Sequence, residues 1–240
     1  MMLRKLALIL SLVWLPNAAN ADCVLNTVGT AGTAISGDNI TMGAPASPLT
    51  DDVWIAVVAT NAAGATHTFT DWTNIVDTNP TSTQRFSVWY HRYAGVTPNL
   101  IVSVGGTSGA TSGQIAQLRG CKNSGSPVDT LGTSTDALDN NTATFAAITP
   151  TATNTLLLAV WAYTDDLNVT TGPSGFSSGF VLTSSNNGVY LYHKAHTSGD
   201  TGGFTATMTA DGNNDDVTAR LIAIAPLVST RRRGGYIILN

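Results

Sequence analysis

Asp51-Asp52-Val53-Trp54-Ile55-Ala56-Val57-Val58-Ala59-Thr60 is a short apolar run entered from two aspartates. A run of this length, rich in Val, Ile and Trp and bounded by turn residues, reads as a buried strand rather than a helix. It has an echo 103 residues later, Asn154-Thr155-Leu156-Leu157-Leu158-Ala159-Val160-Trp161-Ala162-Tyr163. The segments downstream of each copy also match. Phe86-Ser87-Val88-Trp89-Tyr90-His91-Arg92-Tyr93 is aligned with Gly188-Val189-Tyr190-Leu191-Tyr192-His193-Lys194-Ala195, and Gln114 to Arg119 with Val217 to Ile222. Three blocks recurring in one order at nearly one offset indicate a duplicated β unit.

Composition agrees. The 240 residues contain no Glu, three Lys, 36 Thr and 23 Gly. Helix surfaces are normally filled with Glu, Lys, Arg and Gln, whereas Thr and Val fit a pleated surface and Gly and Asn its turns. The chain therefore reads as all-β. Its formal net charge is −4, and cleavage of an N-terminal leader would take away Arg4 and Lys5 as well. Three of the nine remaining basic residues sit together at 231–233. An acidic body without a basic stripe argues against nucleic acid as a partner.

Residues 1–21 read as such a leader, a secretory signal peptide. Arg4 and Lys5 form the charged start, Leu6 to Leu15 the apolar region, and Ala19-Asn20-Ala21 the small residues at the cut. Ten apolar residues fall short of the roughly 20 that span a bilayer. No other stretch reads as transmembrane, so a secreted location is expected. An oxidising compartment would let Cys23 and Cys121 form one disulfide, the alternative being two buried thiols. Closing a loop of about 100 residues would stabilise the fold by roughly 4.7 kcal/mol on the chain-entropy model.

The body, residues 22–226, divides into halves at about 35–120 and 142–226, joined by the polar stretch Cys121 to Asn141. Strands at about ten-residue spacing with Gly, Asn and Asp turns indicate a β-sandwich. Either both halves build one jelly-roll-like double sheet, or each is a small immunoglobulin-like sandwich. The first is favoured, because each half shows only about five convincing strands. Phe86 to Tyr93 carries aromatics on both faces and is expected to be covered on both. Residues 227–240 read as a basic hinge, Arg231-Arg232-Arg233, followed by a terminal strand, Tyr236-Ile237-Ile238-Leu239. An apolar terminal strand of this kind can complete the sheet edge of a neighbouring subunit.

Chemical motifs are sparse. Gly175-Phe176-Ser177-Ser178-Gly179 fits G-x-S-x-G, but that pattern works on a sharp strand-to-helix turn, and Phe180-Val181-Leu182 continues as a strand. His91 and His193 are aligned in the two copies, and a catalytic histidine is seldom needed twice, so both read as sheet-face residues. His67 and His196 show no zinc-ligand spacing. Asp211, Asn213 and Asp215 offer hard oxygens for calcium in a loop that also reads as an ordinary hairpin turn, and the same holds for Asp51-Asp52 and Asp165-Asp166. Otherwise no cofactor is expected. Without Glu, a glycosidase would be left with Asp pairs alone. Trp54, Trp89 and Trp161 sit in strong strands and are expected in the core. Trp72 is aligned with Phe176 as a plug repeated in each copy.

The apolar strand after a polar turn, the Pro173-Ser174-Gly175-Phe176 loop with Asp71-Trp72-Thr73 as its degenerate match, the aromatic-basic strand, and the Ser126-Pro127-Val128-Asp129 link together resemble a family. It is one of repeated β-sandwich proteins of bacteriophage virions, also seen in secreted bacterial surface proteins. The resemblance covers roughly residues 35–226 and implies a non-enzymatic structural component that associates with itself or other subunits. The leader departs from a usual virion protein and points towards an exported surface or filament protein. The alternative is a secreted adhesin that binds a cell-surface glycan.

Overall fold

The computed structural model describes residues 22–228 apart from 36–38, 63, 80–82, 107–108, 138–140, 166, 185–186 and 210–215. The leader at 1–21, the calcium candidates Asp211, Asn213 and Asp215, and the Arg231 to Leu239 segment therefore lie outside the described residues.

The first half runs through β1 (Val24–Val28), β2 (Gly32–Ala34), β3 (Ile40–Thr41), β4 (Val53–Thr60), β5 (Thr66–Thr68), β6 (Thr73–Thr78), β7 (Arg85–Arg92), β8 (Ile101–Gly105) and β9 (Thr111–Arg119). The second repeats the series as β10 (Val128–Leu131), β11 (Thr135–Ala137), β12 (Thr142–Phe145), β13 (Thr155–Tyr163), β14 (Val169–Thr171), β15 (Ser177–Ser184), β16 (Asn187–His196), β17 (Phe204–Met208) and β18 (Val217–Ile224). A large sheet of order β1-β9-β4-β7-β6, with β2 also on β9, matches β10-β18-β13-β16-β15, with β11 on β18. A three-stranded sheet β3-β8-β5 matches β12-β17-β14. The duplication expected from the sequence is thus present strand for strand.

Within each half the antiparallel pairs are nested: β2 on β9, β3 on β8, β4 on β7, and likewise β11 on β18, β12 on β17, β13 on β16. A long hairpin rolled across two sheets gives this pattern, which is jelly-roll-like winding. Each half is therefore a sandwich in its own right, and the two are stacked rather than merged into one double sheet. Three-residue strands such as Thr135–Ala137 and Val169–Thr171 lie below what periodicity detects, which is why about five strands per half are legible and nine per half lie among the described residues.

Stacking makes four layers with three cores. Along β4, Trp54, Ala56 and Val58 face the small sheet, with Ile40, Met42 and Val102. Val53, Ile55, Val57 and Ala59 face the other half, where Leu156, Leu158, Val160 and Ala162 of β13 meet them. The remaining β13 residues, Leu157, Ala159, Trp161 and Tyr163, pack on Phe145, Ala206 and Met208 of the second small sheet. A strand sealed on both faces must be apolar at every position, which is why the two runs do not alternate. Strand β7 is covered on both faces as expected. Phe86 and Val88 lie in the central core, and Trp89 and Tyr93 pack in the first small-sheet core.

Two alignments made from the sequence are corrected by the pairing. Trp54 lies opposite His91, but its copy Leu157 lies opposite Lys194. His91 therefore corresponds to Lys194, and His193 to Tyr90. A one-residue slip turns every side chain to the other face: His91 packs by Trp54 and Trp72, whereas His193 lies on the face towards the first half. The third block shifts by three residues, since Val57 faces Gln114 while Val160 faces Arg220. The shared Tyr-His pair and the shared Leu and Ala residues score well out of register, and a loop insertion hides the true offset.

The repeated turns survive the correction. Asp51 and Asn154 precede β4 and β13 with φ of 73° and 56°. Asp71 and Gly175 do the same before Trp72 and Phe176, with φ of 70° and 77°. Asp, Asn and Gly are the residues that tolerate this left-handed conformation. Each turn is closed by the same backbone bond, Trp72 N–H to Phe69 O and Phe176 N–H to Pro173 O. The plug pairing of Trp72 with Phe176 therefore holds.

Cys23 and Cys121 are disulfide-bonded across 98 residues, Cα atoms 4.4 Å apart, inside the central core. Cys121 also bridges Pro226, so the bond joins the first strand, the link between halves and the end of β18. Polar contacts close the seam at the other end. Asn61 Nδ2 donates to Thr164 O at 2.9 Å, and the buried Asn187 Nδ2 donates to Ala59 O at 2.7 Å. Among the described residues no helix is long and apolar enough to cross a membrane.

Leu158→Ala in the central core is expected to lower unfolding free energy by about 2–5 kcal/mol, and Val181→Ala on the exposed face of β15 by under about 0.5 kcal/mol. Urea titration compares them. Reduction of the disulfide is expected to cost about 2–5 kcal/mol, read as a lower urea midpoint in reductant that a Cys23→Ala/Cys121→Ala variant does not show.

Candidate functional site

The stacking leaves a gap at each end of the central interface. One lies where β1 passes the ends of β15 and β16. It has a volume of about 630 Å³, with Leu25 and Leu156 as apolar surface and Asp22, Ser177 and His193 as polar groups. Its counterpart lies where β10 passes β6 and β7, holds about 260 Å³, and is lined by Tyr90, Ile75 and Val128. The two differ because of two substitutions between copies. Tyr90 stands where the second half has His193. Arg92 stands where it has Ala195, and Arg92 Nη2 donates to Gly125 O at 3.2 Å, tying the link across the gap. Smaller side chains in the second copy leave the larger cleft open.

Ser177 of the G-x-S-x-G pattern lies directly opposite His193 in the β15·β16 ladder. No hydrogen bond joins the two side chains, and Ser177 begins an edge strand, not a strand-to-helix turn. Burial holds the His193 pKa below the usual histidine range, so its half-buried ring is neutral at neutral pH. Lys194, on the opposite face, places its ammonium 5.7 and 5.1 Å from the ring centres of Phe176 and Phe204. Thr155 borders the cleft but shares the strand face of Leu157 and Lys194; it is 1 % exposed, and its hydroxyl has no hydrogen-bond partner.

A second group of reactive side chains is sealed inside the first half. His67 Nε2 is 2.8 Å from Thr60 Oγ1, and His67 Nδ1 is 2.7 Å from Ser87 Oγ. Thr60 continues to Thr111, and Trp89 Nε1 donates to Ser87. A neutral ring donates from one nitrogen and accepts at the other, which this pair of hydroxyls satisfies. Desolvation, reinforced by the Arg85 guanidinium, pushes the His67 pKa down to about 3. The Ser87–His67 pair has the composition of a nucleophile and base, but Ser87 is 0 % and His67 5 % exposed, so no substrate reaches it. In the second half Tyr163 and Tyr190 occupy the places of Thr60 and Ser87, and Tyr190 Oη donates to Leu167 O.

The other carboxylates act on turns. Asp52, 3 % exposed, accepts from Leu49 N at 2.7 Å, Gln117 Nε2 at 2.6 Å and both Nε and Nη2 of Arg119. Its pKa stays below the usual carboxylate range; burial opposes this, and the Arg119 and Leu49 bonds outweigh it. Asp129 does the same for the turn before β13, accepting from Thr151 and Ala152. Asp51-Asp52 is thereby a structural turn. Among the described residues, no three His, Cys, Asp or Glu side chains gather as metal ligands. Trp54 and Trp161 are fully buried, Trp72 is 7 % exposed and Trp89 is partly buried against the first small-sheet core, so these four tryptophans pack inwards. Neither the cleft nor the His67 network was legible in the sequence, because each is assembled from strands that pair across long separations.

Comparison with known proteins finds no family model that matches the chain, no matching curated protein and no matching solved structure.

The His67 pKa sets a stability profile. Below pH 6.5 the unfolded ring takes up a proton that the folded ring refuses, so stability falls as pH falls, down to about pH 3, by a total on the order of 5 kcal/mol. His193, shifted the same way, adds to this loss. Urea unfolding of the parent and of His67→Gln between pH 7 and pH 4 is expected to show the smaller slope in the variant.

Proposed function

We propose that the chain is a non-catalytic structural subunit, exported through its leader and assembled into a virion or an extracellular surface filament. The observation that carries this reading is the four-layer stack, in which both faces of the central strands β4 and β13 of the two large sheets are consumed as core. Such a block is a rigid spacer with little apparatus for chemistry. The sealed Ser87–His67 pair and the unbonded Ser177 and His193 support the non-enzymatic part. The disulfide supports export, since such bonds persist in oxidising compartments.

The route of self-association is set by the sheet edges. The end strands of both large sheets, β1, β6, β10 and β15, each carry a register shift. Bulges of this kind blunt an edge against open-ended pairing. The reading therefore assigns assembly to the terminal strand Tyr236-Ile237-Ile238-Leu239 behind its Arg231-Arg232-Arg233 hinge, donated to a neighbouring subunit.

Native mass spectrometry and electron microscopy of the exported protein test this. Oligomers or filaments are expected for the parent, and Ile237→Asp/Ile238→Asp is expected to shift the population to monomer with an unchanged melting temperature. A parent that stays monomeric at every concentration rules the reading out.

A further inference from the structure

We infer that the open cleft between β1 and β16 is a binding site for a neutral saccharide. The duplicated architecture supplies an internal reference. The counterpart gap is lined by Tyr90 and holds about 260 Å³, and beside it Arg92 bonds to Gly125 of the link. The second copy has His193 and Ala195 instead, and leaves about 630 Å³ open, within the roughly 300–1,000 Å³ of small-molecule sites. Nothing in the stacking of the sheets demands a void of that size, since the same stacking leaves only about 260 Å³ at the other end.

The lining identifies the ligand class. Ser177 offers a hydroxyl, Asn154 an amide, His193 a ring and Asp22 a carboxylate, beside the apolar surface of Leu25 and Leu156. His193 is kept neutral by burial, and Lys194 is drawn to the opposite face over Phe176 and Phe204. Lys194 borders the cleft beside Gly175, but its ammonium is engaged by these two rings and is not aimed between β1 and β16 at a phosphate or carboxylate. The cleft presents a carboxylate acceptor together with groups that both donate and accept, the set that matches vicinal hydroxyls. This site is distinct from a tryptophan platform, and it does not depend on self-assembly.

The test uses the full-length exported protein on an array of neutral oligosaccharides, two to four units long, of glucose, mannose and N-acetylglucosamine, followed by calorimetry with the soluble hit. Binding is expected to at least one series. Ala195→Arg places in the open cleft the side chain that bridges its counterpart, and is expected to weaken binding at least about tenfold while the melting temperature is retained. Ser177→Ala, on an exposed strand end, is expected to weaken it several-fold, and Tyr90→Phe in the closed gap to leave it unchanged. No neutral glycan bound, or a hit that Ala195→Arg binds as well as the parent, would overturn the proposal. So would occupation of the cleft by a synthetic peptide of residues 229–240 with no saccharide bound, which would assign it to strand capture instead.

Discussion

The structure depends on two sheets that each have two apolar faces. Val53, Ile55, Val57 and Ala59 on one side of β4, and Trp54, Ala56 and Val58 on the other, leave no face for water. The same holds for β13. A single jelly-roll-like sandwich covers one face of its large sheet and exposes the other. Duplication solves this by supplying a second large sheet with the same problem. Each half therefore completes the other, and the disulfide and the Asn61 and Asn187 bonds hold the two in place at the ends of the seam.

Duplication also lets the copies drift apart where packing permits. The first half fills the space between its sheets with a hydrogen-bonded set, Thr60, His67, Ser87 and Thr111. The second fills the same space with Tyr163 and Tyr190. Both solutions leave the strands in the same places, because what the sheets need from these side chains is volume. The turn before each central strand shows the same freedom: a carboxylate secures both, but Asp52 does so from within its own turn and Asp129 from a neighbouring strand. The first solution buries a histidine whose pKa desolvation and Arg85 hold well below the usual range. The end gaps are the place where drift changes what the surface can do, since the one with Tyr90 is the smaller and the one with His193 and Ala195 the larger.

How much of the molecule is legible in its sequence varies with the range of the interaction. The strands at Val53 and Thr155 were legible because their composition is local and extreme. So was the bond between Cys23 and Cys121, the only two cysteines in the chain. The plug at Trp72 and Phe176 was legible because a left-handed turn residue precedes each. The alignment of His91 with His193 failed, because a Tyr-His pair matches equally well one residue out of register, and only the opposite strand distinguishes the two.

The sequence by itself determined the all-β class, the duplication and the identity of the central strands, since these rest on local pattern and on a repeat within one chain. The tertiary structure alone decided that the halves stack in four layers, which face each histidine takes, and that one end gap stays open. Those outcomes turn on register and on side-chain volume at contacts between strands about a hundred residues apart. A shift of a single residue there exchanges the inside for the outside without changing the composition that the sequence displays.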